Sequence, residues 1–508
     1  MSTVCIVVAI VVYLAGLIVL GLRYAKKSTT VGEYYLGGRQ LGPYVTAMSA
    51  EASDMSSWLL MGLPGVAYAC GICDAFWTAL GLGIGTYFNW LIVAKRLRHY
   101  TELIEADTIP DFFEKRFDDK SHILMAISAL VIVVFFVPYT ASGFAACGKL
   151  FSSLFNIDYM SAMIISAVVI IFYTAMGGFL AASTTDFVQA IIMSVALISV
   201  VCFGVSLCGG VGVVADYANS LPGFISLGSM YDATTNSSVS YGGIITIIST
   251  MAWGLGYFGM PHILLRFMAI KKPDEIKVSR RVGSVWVFIA MAVAIFIGVM
   301  AKAMVNVGAL ADLEDSERAI ISIAQKLSGY GVLPALLAGV ILAGILACTM
   351  STCDSQLLAA SSSISENIIH GVLGVKLTQK QTMILARVTL IAIAIIGVFV
   401  ARDPNSSVFG IVSFAWAGFG GAFGPVMLMA LFWKRTNAYG AMAGMFSGAA
   451  MIFIWHYVIK PMGGVFGVYE LLPGFIVGLV FCYVVSILTK APDDAIVAKF
   501  DKAIELSK

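Results

Sequence analysis

The chain has 508 residues, of which 59% are apolar and only 12% charged, with a net charge of +2 and a mean hydropathy of +0.92. A soluble domain carries about a quarter charged residues, so this composition excludes a string of soluble domains, and the near-neutral balance gives no footing for a nucleic-acid partner. Repeated apolar stretches instead match the ~20 residues that cross a bilayer core of ~30 Å.

In chain order the predicted spans are 3–22, 42–66, 72–94, 122–148, 158–179, 186–209, 241–267, 282–304, 332–365, 382–401, 406–432, 437–459 and 468–489. The expectation is an all-α integral membrane protein of about thirteen helices. The first segment is apolar from Val4 onward and lacks both a basic start and a small-residue cleavage site, so it reads as a retained helix and not a removed signal peptide. Cysteines number nine, most of them inside apolar segments, and the lone CxxC of Cys70 and Cys73 has no second pair or His cluster to make a metal site.

Loop cations set the expected orientation. With the N-terminus outside, the inner side holds Arg23, Lys26, Lys27, Arg39, Lys95, Arg96, Arg98, Lys115, Arg116, Lys120, Arg266, Lys271, Lys272, Lys277, Arg280, Arg281, Lys376, Lys380, Arg387, Lys434, Arg435, Lys490, Lys499, Lys502 and Lys508, which is 25 of the 31 Lys and Arg. Only Lys149, Lys302, Arg318, Lys326, Arg402 and Lys460 remain outside. The C-terminus is then inside. The connectors 210–240 and 306–330, one rich in Gly, Ser and Asn and the other acidic, are expected to be exposed outer loops, and 490–508 a short polar tail.

Span two reads TAMSAEASDMSSWLLMGLPGVAY. Ionisable groups in a span cost about 2.5–3.5 kcal/mol each on insertion scales, so Glu51 and Asp54 mark function and not lipid contact. Serine hydroxyls at this density compete for backbone groups and interrupt the helix. Span seven has Gly254, Gly256 and Gly259 ahead of Pro261, which lacks an N–H and clashes with the carbonyl four residues back, so a break is expected near 256–259. These interrupted spans lie five apart and run in opposite directions, the pattern of an inverted repeat of spans 2–6 against 7–11. Half-helix N-termini there receive a carboxylate and unwound carbonyls a cation. The plainer alternative is Gly- and Ser-rich helix packing.

Span nine contains CTMSTCDSQLLAASSS. Ser351, Asp354 and Ser355 share one helical face, with Cys348 and Thr352 on the adjoining one. Hydroxyls and a carboxylate at bilayer depth suit a hard cation, whereas Thr349 or Ser361 alone reads as a hydroxyl bonded one turn back. Asp186 opens span six, either as a helix cap or as a partner of Asp354 in a shared inner site. With no HExxH, no GxSxG and five scattered histidines, the chain is not expected to be an enzyme.

The strings LGGRQLGP at 36–43, ASDMSSWLLMGLPG at 52–65, WGLGYFGMPHIL at 253–264, FMA at 267–269, MST at 350–352 and FAWAGFGGAFGP at 414–425 resemble the sodium/solute symporter family, and within it the members that carry proline. The resemblance runs through essentially the whole chain. It implies a LeuT-like core of five plus five inverted helices, with one helix before it and two after. The domain reading is one transporter domain over 1–508: the first helix and inner loop (1–40), repeat one (41–209), repeat two (241–432), two added helices (433–489) and the tail (490–508). The implied function is sodium-coupled import of a small amino acid, L-proline, across a bacterial cytoplasmic membrane. Sodium is the coupling ion, with no organic cofactor and no obligate protein partner.

Carried over residue by residue, the resemblance implies sodium ligands at the carbonyls of Ala52, Met55 and Cys348 and the hydroxyls of Ser351 and Thr352, with Asp54 organising that region. Solute contacts are implied at Ser56, Ser57, Tyr139, Trp253, Tyr257 and Pro261, and a second cation near Asp186, Ser351, Asp354 and Ser355. Trp and Tyr would pack the proline ring and offer cation–π contact to its ammonium. Glu51, Ser57 and Asp354 depart from the pattern, where Gly, Gly and Ser are usual. The rival readings are a symporter of another amino acid, a carboxylate or a sugar, driven by sodium or protons, and a sensor or channel on the same fold.

Overall fold

The computed structural model describes residues 2–25 and 31–507. Lys26, Lys27 and Lys508 of the basic segments expected to face inward lie outside the described residues. Ten helices among these are long and apolar enough to cross a membrane: Ser2–Tyr24, Ile72–Leu103, Ile123–Phe155, Gly177–Cys208, Pro273–Asn306, Val332–Val372, Gln379–Val400, Val408–Phe432, Ala438–Met462 and Leu471–Leu488. An eleventh is the bent pair Ile244–Gly259 and Pro261–Ala269, which meet at 47°. The places of predicted spans two and five hold helices too: Pro43–Ser57 continuing through a π turn into Leu63–Cys70, and the shorter Tyr159–Ala175.

Helix starts follow the sequence chemistry. Thr378 and Gln381 form a reciprocal capping box, and the side chains of Asp158, Ser407 and Asn437 accept the N–H three residues on. Pro43 and Pro261 each sit at a first helical position, where the missing N–H costs nothing.

The loop expected between spans five and six is absent. Tyr159–Cys208 is one 50-residue helical stretch broken only at Gly178, whose φ of 66° and contact with the Tyr34 ring leave no room for a side chain. Asp186 therefore lies two turns inside a helix, so it caps nothing. The two connectors expected to be outer loops are also more ordered than expected. Segment 210–240 holds the helix Val211–Ser220 and a hairpin of Ser229–Asp232 with Ser237–Ser240, and Ala319–Ser328 is a helix with Ile320, Ile321 and Ile323 buried. The tail forms a helix, Asp494–Leu506, whose Phe500 ring meets Tyr100 and the Arg116 guanidinium.

Arginines of the cation-rich segments bind helix C-termini, where carbonyls lack partners and the dipole favours positive charge. Arg39 donates to Met268 O at 2.8 Å and Arg98 to Ile270 O at 2.8 Å, both at the end of Pro261–Ala269. Arg116 and Arg96 donate to Ala430 O at 2.9 Å and Leu431 O at 3.1 Å, near the end of Val408–Phe432. A parallel bridge of Leu41 with Ile270 ties the approach to the first interrupted helix to the exit of the second. Arg266 departs from the loop reading: it is fully buried inside its helix.

Candidate functional site

Both interrupted helices are broken where their sequences predict. In the first, Ser56 has φ 46° and ψ −171°, a conformation costly for a residue with a side chain. Its own hydroxyl compensates by accepting the Trp58 N–H at 3.1 Å. In the second, Ala252–Gly259 tightens to a 3₁₀ helix and Met260 is extended (φ −76°, ψ 107°) before Pro261 restarts the α-helix.

The first break faces the hydroxyl-rich helix Val332–Val372. Ser351 Oγ donates to Ala52 O at 2.8 Å and lies 3.0 Å from Cys348 O, while Thr352 Oγ1 donates to Cys348 O at 3.1 Å. Four hard oxygens from two helices thus share one buried spot, a donor set that fits an alkali cation. The Met55 carbonyl is engaged by the Trp58 N–H. Asp54 takes the Tyr257 hydroxyl on its carboxylate and the Tyr139 hydroxyl, at 3.3 Å, on its backbone carbonyl. Asp54 therefore joins the two breaks.

A cavity of about 10 Å³ lies beside Asp54, lined by Met55, Trp58, Leu82, Tyr139, Trp253, Val412 and Trp416. It is too small for a solute as it stands. Tyr139 and Trp253 line it, whereas Ser56, Ser57, Tyr257 and Pro261 are buried in the adjoining breaks. Trp416 donates to Trp253 O at 2.7 Å and meets Tyr257 edge-on with ring centroids 5.1 Å apart. Ser57 Oγ and Trp58 Nε1 are buried without partners. Trp58, Trp416, Leu82 and Val412 were not picked out from the sequence, though both tryptophans lie inside the strings quoted above.

The second predicted cluster contains an unexpected member. Asp186 Oδ2 accepts from Ser49 at 2.6 Å and from the Arg266 guanidinium at 3.1 Å. Arg266 also donates to Ser49, to the His262 carbonyl at 2.8 Å and to Ser355. Asp354 is fully buried, with Oδ1 3.2 Å from the Ser355 hydroxyl and Oδ2 unpartnered. Ser49 and Arg266 were not joined to this cluster from the sequence, because a serine of span two and an arginine counted among loop cations carry no spacing that links them to Asp186.

At the opposite end a cavity of about 930 Å³ reaches down to Gly62, Gly65 and Phe409. Phe409 of its lining meets Trp58 and Trp253 of the small cavity with ring centroids 6.2 and 5.4 Å apart, and Tyr469 stacks on Trp253 at 5.1 Å. Glu317 braces this end. It pairs with Lys149 at 2.7 Å and accepts the N–H groups of Val408 and Phe409 at 3.1 and 3.0 Å.

The model of the sodium:solute symporter family matches residues 34–448. The sodium/proline symporter of Staphylococcus aureus is 43% identical over 493 residues, which is 96% of this chain and 93% of that protein. The chain belongs to the sodium:solute symporter family. A second sodium/proline symporter, from strain USA300, shows the same identity over 494 residues, 96% of this chain and 93% of its own. The solved structure of a Na+-coupled sialic acid symporter, substrate-bound and outward-open, superposes with a TM-score of 0.77 at 18% identity, covering 96% of this chain and 99% of that one. A nucleobase-cation-symport-1 family transporter in a closed conformation gives a TM-score of 0.56 at 12% identity over 93% and 98%. The family member described here is thus a multi-pass membrane transporter of LeuT-like fold and not an enzyme.

Proposed function

We propose that this chain is a sodium-coupled importer of a small amino acid, with L-proline its substrate, working by alternating access in a bacterial cytoplasmic membrane. The observation that carries the reading is the meeting of Ser351 and Thr352 with the Ala52 and Cys348 carbonyls at the break whose Asp54 binds Tyr257. Identity of 43% to sodium/proline symporters over almost the full chain supports the choice of solute.

In this reading sodium sits on the carbonyls of Ala52, Met55 and Cys348 and the hydroxyls of Ser351 and Thr352, with Asp54 holding the region in register. Ser56, Ser57, Tyr139, Trp253, Tyr257 and Pro261 surround the solute. The unpartnered Ser57 hydroxyl and Trp58 indole N–H are donors for a carboxylate, and the aromatic rings offer cation–π contact to an ammonium. Sodium draws the broken helix onto Val332–Val372, so the two ligands bind with positive coupling. Moving one positive charge inward gains about 2.3 kcal/mol per 100 mV. A second cation site at Asp186, Ser351, Asp354 and Ser355 draws support from charge balance, since Arg266 pairs with Asp186 while the buried Asp354 has no cation partner among the described residues and an unpartnered Oδ2. The cation-rich helix ends bound by Arg39, Arg96, Arg98 and Arg116 support an inside C-terminus and an outside N-terminus.

A different small solute on the same machinery is the second reading, favoured by the extra hydroxyl of Ser57 at the break. The deciding experiment is uptake of labelled L-proline into proteoliposomes under an inward sodium gradient, with potassium as control. Sodium-dependent accumulation is expected. Sodium-stimulated uptake of another solute alone would keep the symporter and discard proline, and sodium independence for every solute would discard the mechanism.

A further inference from the structure

Glu51 belongs neither to the four-oxygen cluster nor to the aromatic wall, yet it is buried to 1% exposure one turn before Asp54. Its Oε1 accepts the indole N–H of Trp90 at 2.8 Å and the Thr86 hydroxyl at 3.2 Å. Room for the carboxyl comes from Gly283, where an added Cβ would approach Oε1 to 2.8 Å and Cγ to 3.2 Å. Both donors stand on the helix that begins at Ile72, at its passage into the π turn Asn89–Val93. Such turns insert one residue into a helix and re-aim its side chains.

The same helix is the bed of the second break. Gly81, Gly85 and Asn89 recur every four residues and so form one stripe. An added Cβ at Gly81 would meet Met251 O at 2.4 Å, and one at Gly85 would meet Gly254 O at 2.3 Å, so backbone lies directly on backbone. Asn89 ends the stripe by donating Nδ2–H to Tyr257 O at 3.0 Å. The Tyr257 hydroxyl then returns to Asp54. A closed circuit results: Glu51 holds Trp90, the adjacent Asn89 holds the Tyr257 backbone, and the Tyr257 side chain holds Asp54, three residues from Glu51.

We propose that Glu51 is a positioning residue for solute binding: its Oε1 fixes the π turn so that Asn89 sets the Tyr257 backbone and the Tyr257 hydroxyl stays on Asp54. The role needs an acceptor oxygen at this position, which a glutamine amide also supplies. The inference rests on the reading of Tyr257 and Asp54 as part of the solute and sodium site.

The test compares Glu51→Ala, Glu51→Gln and Trp90→Phe in the full chain, by two measurements. In nanodiscs without solute, hydrogen exchange followed by mass spectrometry is expected to quicken about fivefold or more at 252–260 in Glu51→Ala and in Trp90→Phe, and to return towards wild type in Glu51→Gln. In proteoliposomes, Glu51→Ala is expected to raise the KM for L-proline about tenfold with Vmax within about twofold, the pattern of lost binding geometry. Glu51→Gln is expected to recover most of that change, and Glu51→Ala with Trp90→Phe to be no worse than Glu51→Ala alone. Unchanged exchange at 252–260 overturns the inference, as does faster exchange spread evenly over the chain or a Gln variant as impaired as the Ala variant. If wild type accumulates no L-proline, the functional reading fails and the exchange measurement still decides the role of Glu51.

Discussion

Arg266 and Asp186, 80 residues apart, form an ion pair at 3.1 Å with side chains 1% and 0% exposed. The same guanidinium reaches Ser49 and Ser355, so one side chain ties together four helices beside the predicted sodium site. Removing one partner of a buried pair leaves an uncompensated charge and costs about 3–5 kcal/mol. Arg266→Leu is therefore expected to lower the thermal unfolding temperature of the purified chain and to abolish sodium-driven uptake. Arg266→Gln combined with Asp186→Asn should recover part of the lost stability, because no lone charge remains. An Arg266→Leu protein as stable as wild type would show that the pair does not hold these helices.

The four-oxygen cluster makes a separate prediction. Ser351→Ala and Thr352→Ala each remove one hydroxyl ligand, worth about 1.4 kcal/mol or roughly tenfold in affinity. Each should raise the sodium concentration for half-maximal uptake by about that factor, with the solute KM at saturating sodium little changed. Asp54→Asn should raise both, since Asp54 also receives the Tyr257 hydroxyl. Sodium curves that coincide with wild type in all three variants would remove the assignment.

What the sequence disclosed, and what it withheld, has a physical pattern. Pro261 and the glycines before it announce a break by backbone chemistry alone, and the break spans 252–260. Serines around Asp54 announced the other, seen at Ser56. Hydroxyls four residues apart on 348–355 share a face in any helix, so their convergence was legible once their partner helix was guessed. By contrast, Arg266 was read among loop cations because a sequence window places it at a span end, and only the facing Asp186 shows that the charge is internal. Gly178 hid a kinked continuation behind what resembled a loop, because a glycine at φ 66° turns a helix without ending it. Trp58 and Trp416 contribute to the cavity wall through long-range packing, which leaves no periodic trace.

Close backbone contact between the helix from Ile72 and the second break allows no side chain at Gly254 or Gly85. An added Cβ at Gly254 would lie 2.2 Å from Gly81 O, and one at Gly85 would lie 2.3 Å from Gly254 O. These are backbone atoms and cannot rotate aside, so overpacking by one methyl costs about 1–3 kcal/mol here. Gly254→Ala and Gly85→Ala are expected to lose about 90% of uptake at normal membrane abundance. Gly16→Ala, where nothing lies within 4 Å, should be silent and serves as control.

Tyr469, in the connector between Ala438–Met462 and Leu471–Leu488, stacks on Trp253 with centroids 5.1 Å apart and planes 18° from parallel. Two hydrogen bonds hold it, its hydroxyl donating to Ser413 O at 2.7 Å and its N–H to Ser249 Oγ at 2.6 Å, and the adjacent Glu470 is clamped by His456 at 2.9 Å and Lys460 at 2.8 Å. The ring thus backs Trp253, whose own ring lines the small cavity. Aromatic pairs contribute about 0.5–1.5 kcal/mol beyond burial, so Tyr469→Ala should weaken solute binding about two- to tenfold. It should also admit a larger imino acid, such as a six-membered-ring homologue of proline, as competitor. Tyr469→Phe keeps the stack and loses one hydrogen bond, so its KM should stay within about threefold of wild type. Equal competition profiles for Tyr469→Ala and wild type would mean that the wall of the solute site ends at Trp253, and that the added helices only support the core.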